Sequence, residues 1–304
     1  MTHLTPNSFE AGELVVNWHV TEACNYRCQY CYAHWDAKET RSEIWKSHTR
    51  SVELLQELYR FFSPENEANP LRQYLTWRSV RLSIAGGEPT LLGKRLSAIV
   101  NHAREIGFRV SIITNATRPD AITEIAAKID MLGISIDSDT AAVNSAIGRE
   151  SLRGTQISRL DVLNLVEQVR SLNPAITIKL NTVVSAKNIR EDMSRLITAI
   201  APDRWKIMRM LPITTQRLSI NNEEFQQFVL RHHELSVPMT IENNDDMDRS
   251  YVMVDPTGRF FQNEASSAGY KYSDNILAVG AVQAFRQTAF CPATYFKRYN
   301  DLKC

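Results

Sequence analysis

The sequence predicts an α/β protein built as a partial (β/α)6 barrel with a C-terminal extension. Three observations predict it. Short β-rich runs alternate with amphipathic stretches over the first two thirds of the chain, the pattern of successive βαβ units. Each run splits by parity into an apolar and a polar face. The last third breaks the alternation with a helix followed by a hairpin. The composition permits such a body: 304 residues, 43% hydrophobic, with 11 Gly and 11 Pro, carry enough apolar side chains for a large core and too little Gly and Pro for a fibrous chain.

Taken in order, the strands expected are 14–20 (LVVNWHV), 79–84 (SVRLSI), 108–114 (FRVSIIT), 131–137 (MLGISID), 176–183 (ITIKLNTV) and 204–211 (RWKIMRML). Amphipathic segments near 43–62, 92–106, 119–129, 157–172 and 189–201 lie between them. The spacing therefore divides the chain into an N-terminal segment, 1–13, a barrel, 14–212, and an extension, 213–304, expected to close the barrel. Within the extension a helix is expected at 222–234, then the run MTIE, then a hairpin turning at the Pro–Gly of YVMVD-PTG-RFFQ.

Successive strand residues point to opposite faces. One parity is apolar: Val16, Trp18, Val20, Val80, Leu82, Ile84, Ile134, Ile136, Ile178 and Leu180 should face the helices, with Trp205 in the core. The other parity is polar in every run and holds Asn17, His19, Arg81, Ser83, Ser111, Asn115, Ser135, Asp137, Lys179, Asn181, Arg204 and Lys206. A barrel interior is ordinarily filled by Val, Ile and Leu. Four cations facing inward with only Asp137 as a carboxylate among them would cost several kcal/mol if left unpaired. An anionic ligand answers that cost, and the charge suits a triphosphate.

Lys and Arg number 35 against 34 Asp and Glu, a formal charge of +1, which excludes a broadly basic nucleic-acid surface. No apolar run reaches the length of a membrane span and no secretory signal is visible at the start; a cytoplasmic protein without membrane or nucleic-acid partners is expected. The five cysteines argue against a disulfide framework, because three crowd within eight residues. Cys24, Cys28 and Cys31 form C-x3-C-x2-C directly after the first strand. Three thiolates so spaced suit three irons of a four-iron cluster, whose fourth iron stays open to a small ligand. With His34 as a fourth ligand they also suit a structural zinc. Tyr30, just before the last cysteine, is placed to cover an adenine. At the end of the second strand stands Ala85-Gly86-Gly87-Glu88-Pro89, whose glycines admit close approach to the backbone.

With CNYRCQYC, the strand-end GGEP and the six-unit layout together, the chain resembles the radical S-adenosylmethionine superfamily. The segments NWHVTEACNYRCQYCY, SIAGGEPTLL, VNSAIGR, APDRWKIMRML and SYVMVDPTGRFF, among others, are similar to those of the short prokaryotic viperins. The resemblance implies a [4Fe–4S] cluster and S-adenosylmethionine, cleaved reductively to a 5′-deoxyadenosyl radical. It further implies conversion of a ribonucleoside triphosphate (CTP, UTP or GTP, with CTP favoured) to its 3′-deoxy-3′,4′-didehydro analogue, a terminator of RNA synthesis that serves antiviral defence.

Carried over by motif position, Cys24, Cys28 and Cys31 hold the cluster. Tyr30, Gly86, Gly87, Glu88, Asn115, Ser135 and Arg149 take the cofactor. Asn17, Arg81, Lys179, Asn181, Arg204 and Lys206 take the substrate, and Tyr251 returns a hydrogen atom. A cellular reductant is implied. The end FKRYNDLKC lacks the terminal aromatic of animal viperins, and the chain's start near the barrel implies no amphipathic membrane helix. Other readings are a radical maturase acting on peptides, or a zinc-binding interaction module. His232 and His233 are expected on a solvated helix face, Cys291 and Cys304 as free thiols, and His19 either at the ligand or bonded internally.

Overall fold

The structure is a computed structural model that describes residues 9–33, 42–213, 215–263 and 269–300. His34 and Cys304 lie outside the described residues. Ten strands form one sheet: β1 (Phe9–His19), β2 (Leu75–Ala85), β3 (Arg109–Thr114), β4 (Met131–Ser135), β5 (Thr177–Val184), β6 (Arg204–Arg209), β7 (Met239–Glu242), β8 (Val252–Val254), β9 (Arg259–Asn263) and β10 (Tyr270–Asn275). The α-helices are α1 (His48–Phe62), α2 (Lys94–Ile106), α3 (Pro119–Ile125), α4 (Ala141–Ile147), α5 (Arg159–Leu172), α6 (Ser194–Ile200), α7 (Asn222–Arg231), α8 (Asn244–Met247), α9 (Ile276–Val279), α10 (Ala281–Phe285) and α11 (Pro292–Asn300).

The strand order is β10-β9-β8-β1-β2-β3-β4-β5-β6-β7. Every pair from β8 to β7 is parallel, and β9 and β10 run antiparallel. Parallel neighbours need long crossovers, which the helices provide. The extension does not close the barrel as expected: β7 adds to β6 at one edge, β8 to β10 add beside β1 at the other, and the sheet stays open. β1 is also longer than expected. Its register with β2 begins at Phe9 opposite Leu75, which carries Glu13 onto the same face as Asn17. Helix α4 was not legible, since its stretch AAVNSAI buries only Ile147 and so carries no apolar stripe.

The helices start where capping chemistry starts them. Ser158 and Asp161 form a capping box at α5, and Asn221 and Glu224 form one at α7. Val162, Leu165, Val166 and Val169 of α5 repeat at helical spacing and are buried against the sheet. They share one core with the apolar parity: Val16, Trp18, Val20, Leu82, Ile84, Ile134, Ile178, Leu180 and Trp205 are all fully buried.

His233 is exposed as expected, but His232 is buried. It follows Phe228 by one helical turn and so shares its inward face. Its Nδ1–H donates to the Phe228 carbonyl at 2.8 Å, and Nε2 accepts the Met193 N–H at 2.9 Å.

Candidate active site

The cysteine loop leaves β1 at the carboxyl end of the parallel strands and is clamped by backbone on two sides. On one side the β1–β2 ladder continues past both strands: Val20 N–H donates to Ala85 at 2.9 Å, Gly87 N–H to Thr21 at 2.6 Å and Glu88 N–H to Ala23 at 2.8 Å. A Cβ on Gly87 would lie 2.2 Å from the Ala23 carbonyl oxygen. What approaches these glycines within the described residues is the cysteine loop itself, which takes the Gly87 N–H that the sequence left for a ligand. On the other side Arg27 N–H donates to Gly148 at 3.1 Å and Gln29 N–H to Ile147 at 2.9 Å. Gly148 sits at φ +83°, and a Cβ there would meet the Arg27 carbonyl oxygen at 2.3 Å.

The Glu88 side chain is fully buried. Its buried carboxylate accepts from the Thr90 N–H and hydroxyl, from the Thr114 hydroxyl at 2.7 Å and from the Asn115 N–H at 2.7 Å. It is a brace between the β2 and β3 loops. Burial raises its pKa despite those bonds. Asn115 in turn supports the loop: its Nδ2 donates to Asn25 at 2.8 Å and lies 3.9 Å from Cys24 Sγ.

Tyr30, Asp137 and Arg149 form a buried knot beneath the loop. The Tyr30 hydroxyl donates to Asp137, and Arg149 pairs with Asp137 at 3.2 Å while reaching Tyr30 at 3.3 Å and the Ser135 carbonyl. Burial and the neighbouring carboxylate hold the Tyr30 phenol well above its ordinary pKa. Arg149 is held charged by Asp137 against the cost of its own burial. Asp137, read from the sequence as the counter-charge of the lumen, is thus committed to Arg149. A cavity of about 690 Å³ opens beside this knot, lined by Tyr26, Ser135, Ile136, Asn144 and Arg149 among others.

The donor set fits an iron–sulfur cluster. Cys24, Cys28 and Cys31 are free thiols, half-buried on one loop. Burial raises the pKa of all three, that of Cys28 to about 12. Their thiolates therefore need a cation beside them, which iron supplies. Among the described residues no three His, Cys, Asp or Glu side chains stand together in metal-holding geometry.

A second cluster lies across β5, β6 and β7. The register sets Lys179 beside Arg204, Asn181 beside Lys206, and Lys206 beside Thr240. The Lys179 side chain makes no ion pair or hydrogen bond among the described residues. Burial, then Lys206, Arg81 and Arg204, push its pKa well below the ordinary value. The Asn181 Nδ2 and the Thr240 hydroxyl oxygen are buried without a hydrogen-bond partner among the described residues, the mark of a site shaped for a polar ligand. Tyr251 joins this cluster despite its place outside the six-strand run: Lys206 Nζ lies 2.8 Å from its hydroxyl.

One expectation is corrected here. Protein carboxylates do balance part of the cationic lumen: Glu13 pairs with Arg81 at 3.0 Å, and Glu242 pairs with Lys206 at 2.8 Å and with Arg298 at 3.6 Å. Arg81 also contacts Met131 Sδ at 3.6 Å, so it is committed at the amino end of the strands. The Asn17 amide ties β1 to β8, donating to the Val252 carbonyl at 3.2 Å. Sequence reasoning missed Glu13, Thr240, Glu242 and Arg298. Glu13 was within reach, had the parity of the first strand been extended two positions beyond Val15.

A cysteine loop after the first strand of a parallel α/β sheet, facing a glycine turn after the second, defines the class of radical S-adenosylmethionine enzymes, and the Radical SAM superfamily profile matches residues 18–197. The S-adenosylmethionine-dependent nucleotide dehydratase of Pseudoalteromonas ulvae is 39% identical over 95% of this chain and 94% of that protein. That of Psychrobacter lutiphocae is 36% identical over 96% and 97%. The chain belongs to this nucleotide dehydratase family, the viperins. Its cofactors are a [4Fe–4S] cluster and S-adenosylmethionine. The structure of native anSMEcpe with bound AdoMet shares the fold, with a TM-score of 0.60 and 12% identity over 94% of this chain and 82% of that one. Among the described residues no helix is long and apolar enough to cross a membrane.

Proposed function

We propose that this dehydratase acts on a ribonucleoside triphosphate, CTP by preference. It takes the 4′-hydrogen and expels the 3′-hydroxyl as water to leave the 3′-deoxy-3′,4′-didehydro nucleotide. The observation that carries the reading is the inward row of Lys179, Arg204 and Lys206 beside the Asn181 Nδ2, which has no partner among the described residues. Cations held in a lumen match a chain of phosphates better than any neutral metabolite.

When bound, the cluster and S-adenosylmethionine supply one-electron cleavage and a hydrogen-abstracting radical. The chain's own residues do the rest. Cys24, Cys28 and Cys31 hold the cluster on a loop clamped by Gly87 and Gly148. Gly86, Ser135 and Arg149, with Tyr30 and Asn115 behind the loop, form the wall assigned to the cofactor. Lys179, Arg204 and Lys206 fix the phosphates, Asn181 reaches the substrate, and Tyr251 stands by Lys206 as the hydrogen donor. A product without a 3′-hydroxyl offers a polymerase no group to extend, which fits a role against viruses or phage.

The test is incubation of the reduced protein with S-adenosylmethionine and each of the four ribonucleoside triphosphates. The expected result is one product lighter than its substrate by a water, foremost from CTP. Arg204→Ala should weaken triphosphate binding by about 2–5 kcal/mol. Formation of 5′-deoxyadenosine without any dehydrated nucleotide would refute the reading.

A further inference from the structure

Glu242 is buried on the inward face of β7, beside the cations assigned to the phosphate chain. Its carboxylate accepts from Lys206 at 2.8 Å and from the Tyr251 hydroxyl, and pairs with Arg298 at 3.6 Å. Arg298 comes from α11, lies 3.5 Å over the Tyr251 ring and reaches the Ser250 hydroxyl at 3.2 Å. The carboxylate thus occupies, from within the chain, the kind of position beside Lys206 that a phosphate oxygen would take. On either side of Lys206 in the same row stand Asn181 and Thr240, each with a buried polar atom lacking a partner among the described residues. The row is therefore shaped for a ligand, while its cation is already matched to a carboxylate.

We propose that Glu242 is an internal counter-ion that the substrate's phosphate chain displaces from Lys206, a positioning residue that neutralises the pocket until a polyanion arrives. A buried ammonium without a partner is costly, so the free protein keeps Lys206 paired. An incoming phosphate must take Lys206 from that pair or sit close to a like charge. A chain of phosphates that also reaches Lys179 and Arg204 recovers this cost. On release of Lys206, Glu242 keeps Arg298 and the Tyr251 hydroxyl as partners, so occupation of the anion pocket changes the hydrogen bonding of Tyr251. This inference rests on the triphosphate reading above.

The test measures binding of tripolyphosphate, which carries the anion without ribose or base, to the full chain with its cluster by titration calorimetry. Glu242→Gln, which keeps the shape and removes the charge, should tighten binding about tenfold. Glu242→Asp, which draws the carboxylate back from Lys206, should tighten it by a smaller factor. Loss of mere structural support would not raise affinity. If tripolyphosphate binds the natural protein and both variants bind it equally well or more weakly, the counter-ion exchange is wrong while the phosphate pocket stands. If tripolyphosphate does not bind the natural protein, the pocket itself is misassigned and both readings fall.

Discussion

On the triphosphate reading proposed above, Lys179 couples substrate binding to pH. Its neighbours in the lumen are Arg204 and Lys206 on β6, Arg81 on β2 and Glu242 on β7. Burial and the three cations lower its pKa well below the ordinary lysine value, and the single carboxylate among them does not offset this. A bound phosphate chain supplies negative charge and raises that pKa again. Nucleotide binding should therefore take up a proton, and affinity should fall as pH rises between the free and bound values. Calorimetry in buffers of different ionisation enthalpy checks this, and Lys179→Met should abolish the uptake.

The parity argument set Lys179 on one face with Arg81, Arg204 and Lys206, where the structure has it, because alternation along a strand is a local property. Nothing in SVRLSI discloses the Glu13 that pairs with Arg81 across β1 and β2. The partners of the Glu88 carboxylate were hidden for a related reason. GGEP reveals a turn, whereas the Thr114 and Asn115 donors that bury its carboxylate come from the end of β3.

At the scale of elements, α11 does more than cover the core. β8 pairs with β1 only from Val16 onward, which leaves the preceding edge of β1 to be satisfied otherwise. Tyr295, fully buried on α11, does so: its hydroxyl accepts the Val15 N–H at 3.0 Å and donates to the Glu13 carbonyl at 3.2 Å. Tyr295→Phe would leave two backbone groups unmatched. It should lower the unfolding free energy by about 2 kcal/mol, measurable by urea denaturation. A loss under roughly 0.5 kcal/mol would mean that the bonds contribute little. The same helix supplies Arg298 to Glu242, so α11 belongs to the site as well as to the edge. Among the described residues, six of the eight parallel strands, β1 to β6, and six of the eleven α-helices could be located from periodicity. The role of α11 could not, because its partners, β1 and α8, lie far from it in the chain.

At the scale of the whole molecule, two histidines among the described residues, His19 and His232, are buried as neutral imidazoles. Burial lowers His19 to about 3 from its usual 6.5 and lowers His232 in the same direction. A base whose folded pKa lies below its unfolded value binds fewer protons when folded. Stability should be fully present above about pH 6.5 and fall progressively toward pH 3, by several kcal/mol for His19. Denaturation at a series of pH values checks the slope, and His19→Gln should flatten it. If the natural protein and the variant lose stability in parallel, His19 is not the cause.

Read along the chain alone, the residues disclose the class of fold, the cysteine triad, the glycine turn and the inward cations. Each of these is a matter of spacing between neighbours or of a period of two. The open edge of the sheet, the carboxylates that pair with the lumen cations, and the arrival of Tyr251 and Arg298 at Lys206 appear only in three dimensions. Electrostatic pairing depends on distance through space, and folding brings these charges together from strands and helices far apart in the chain.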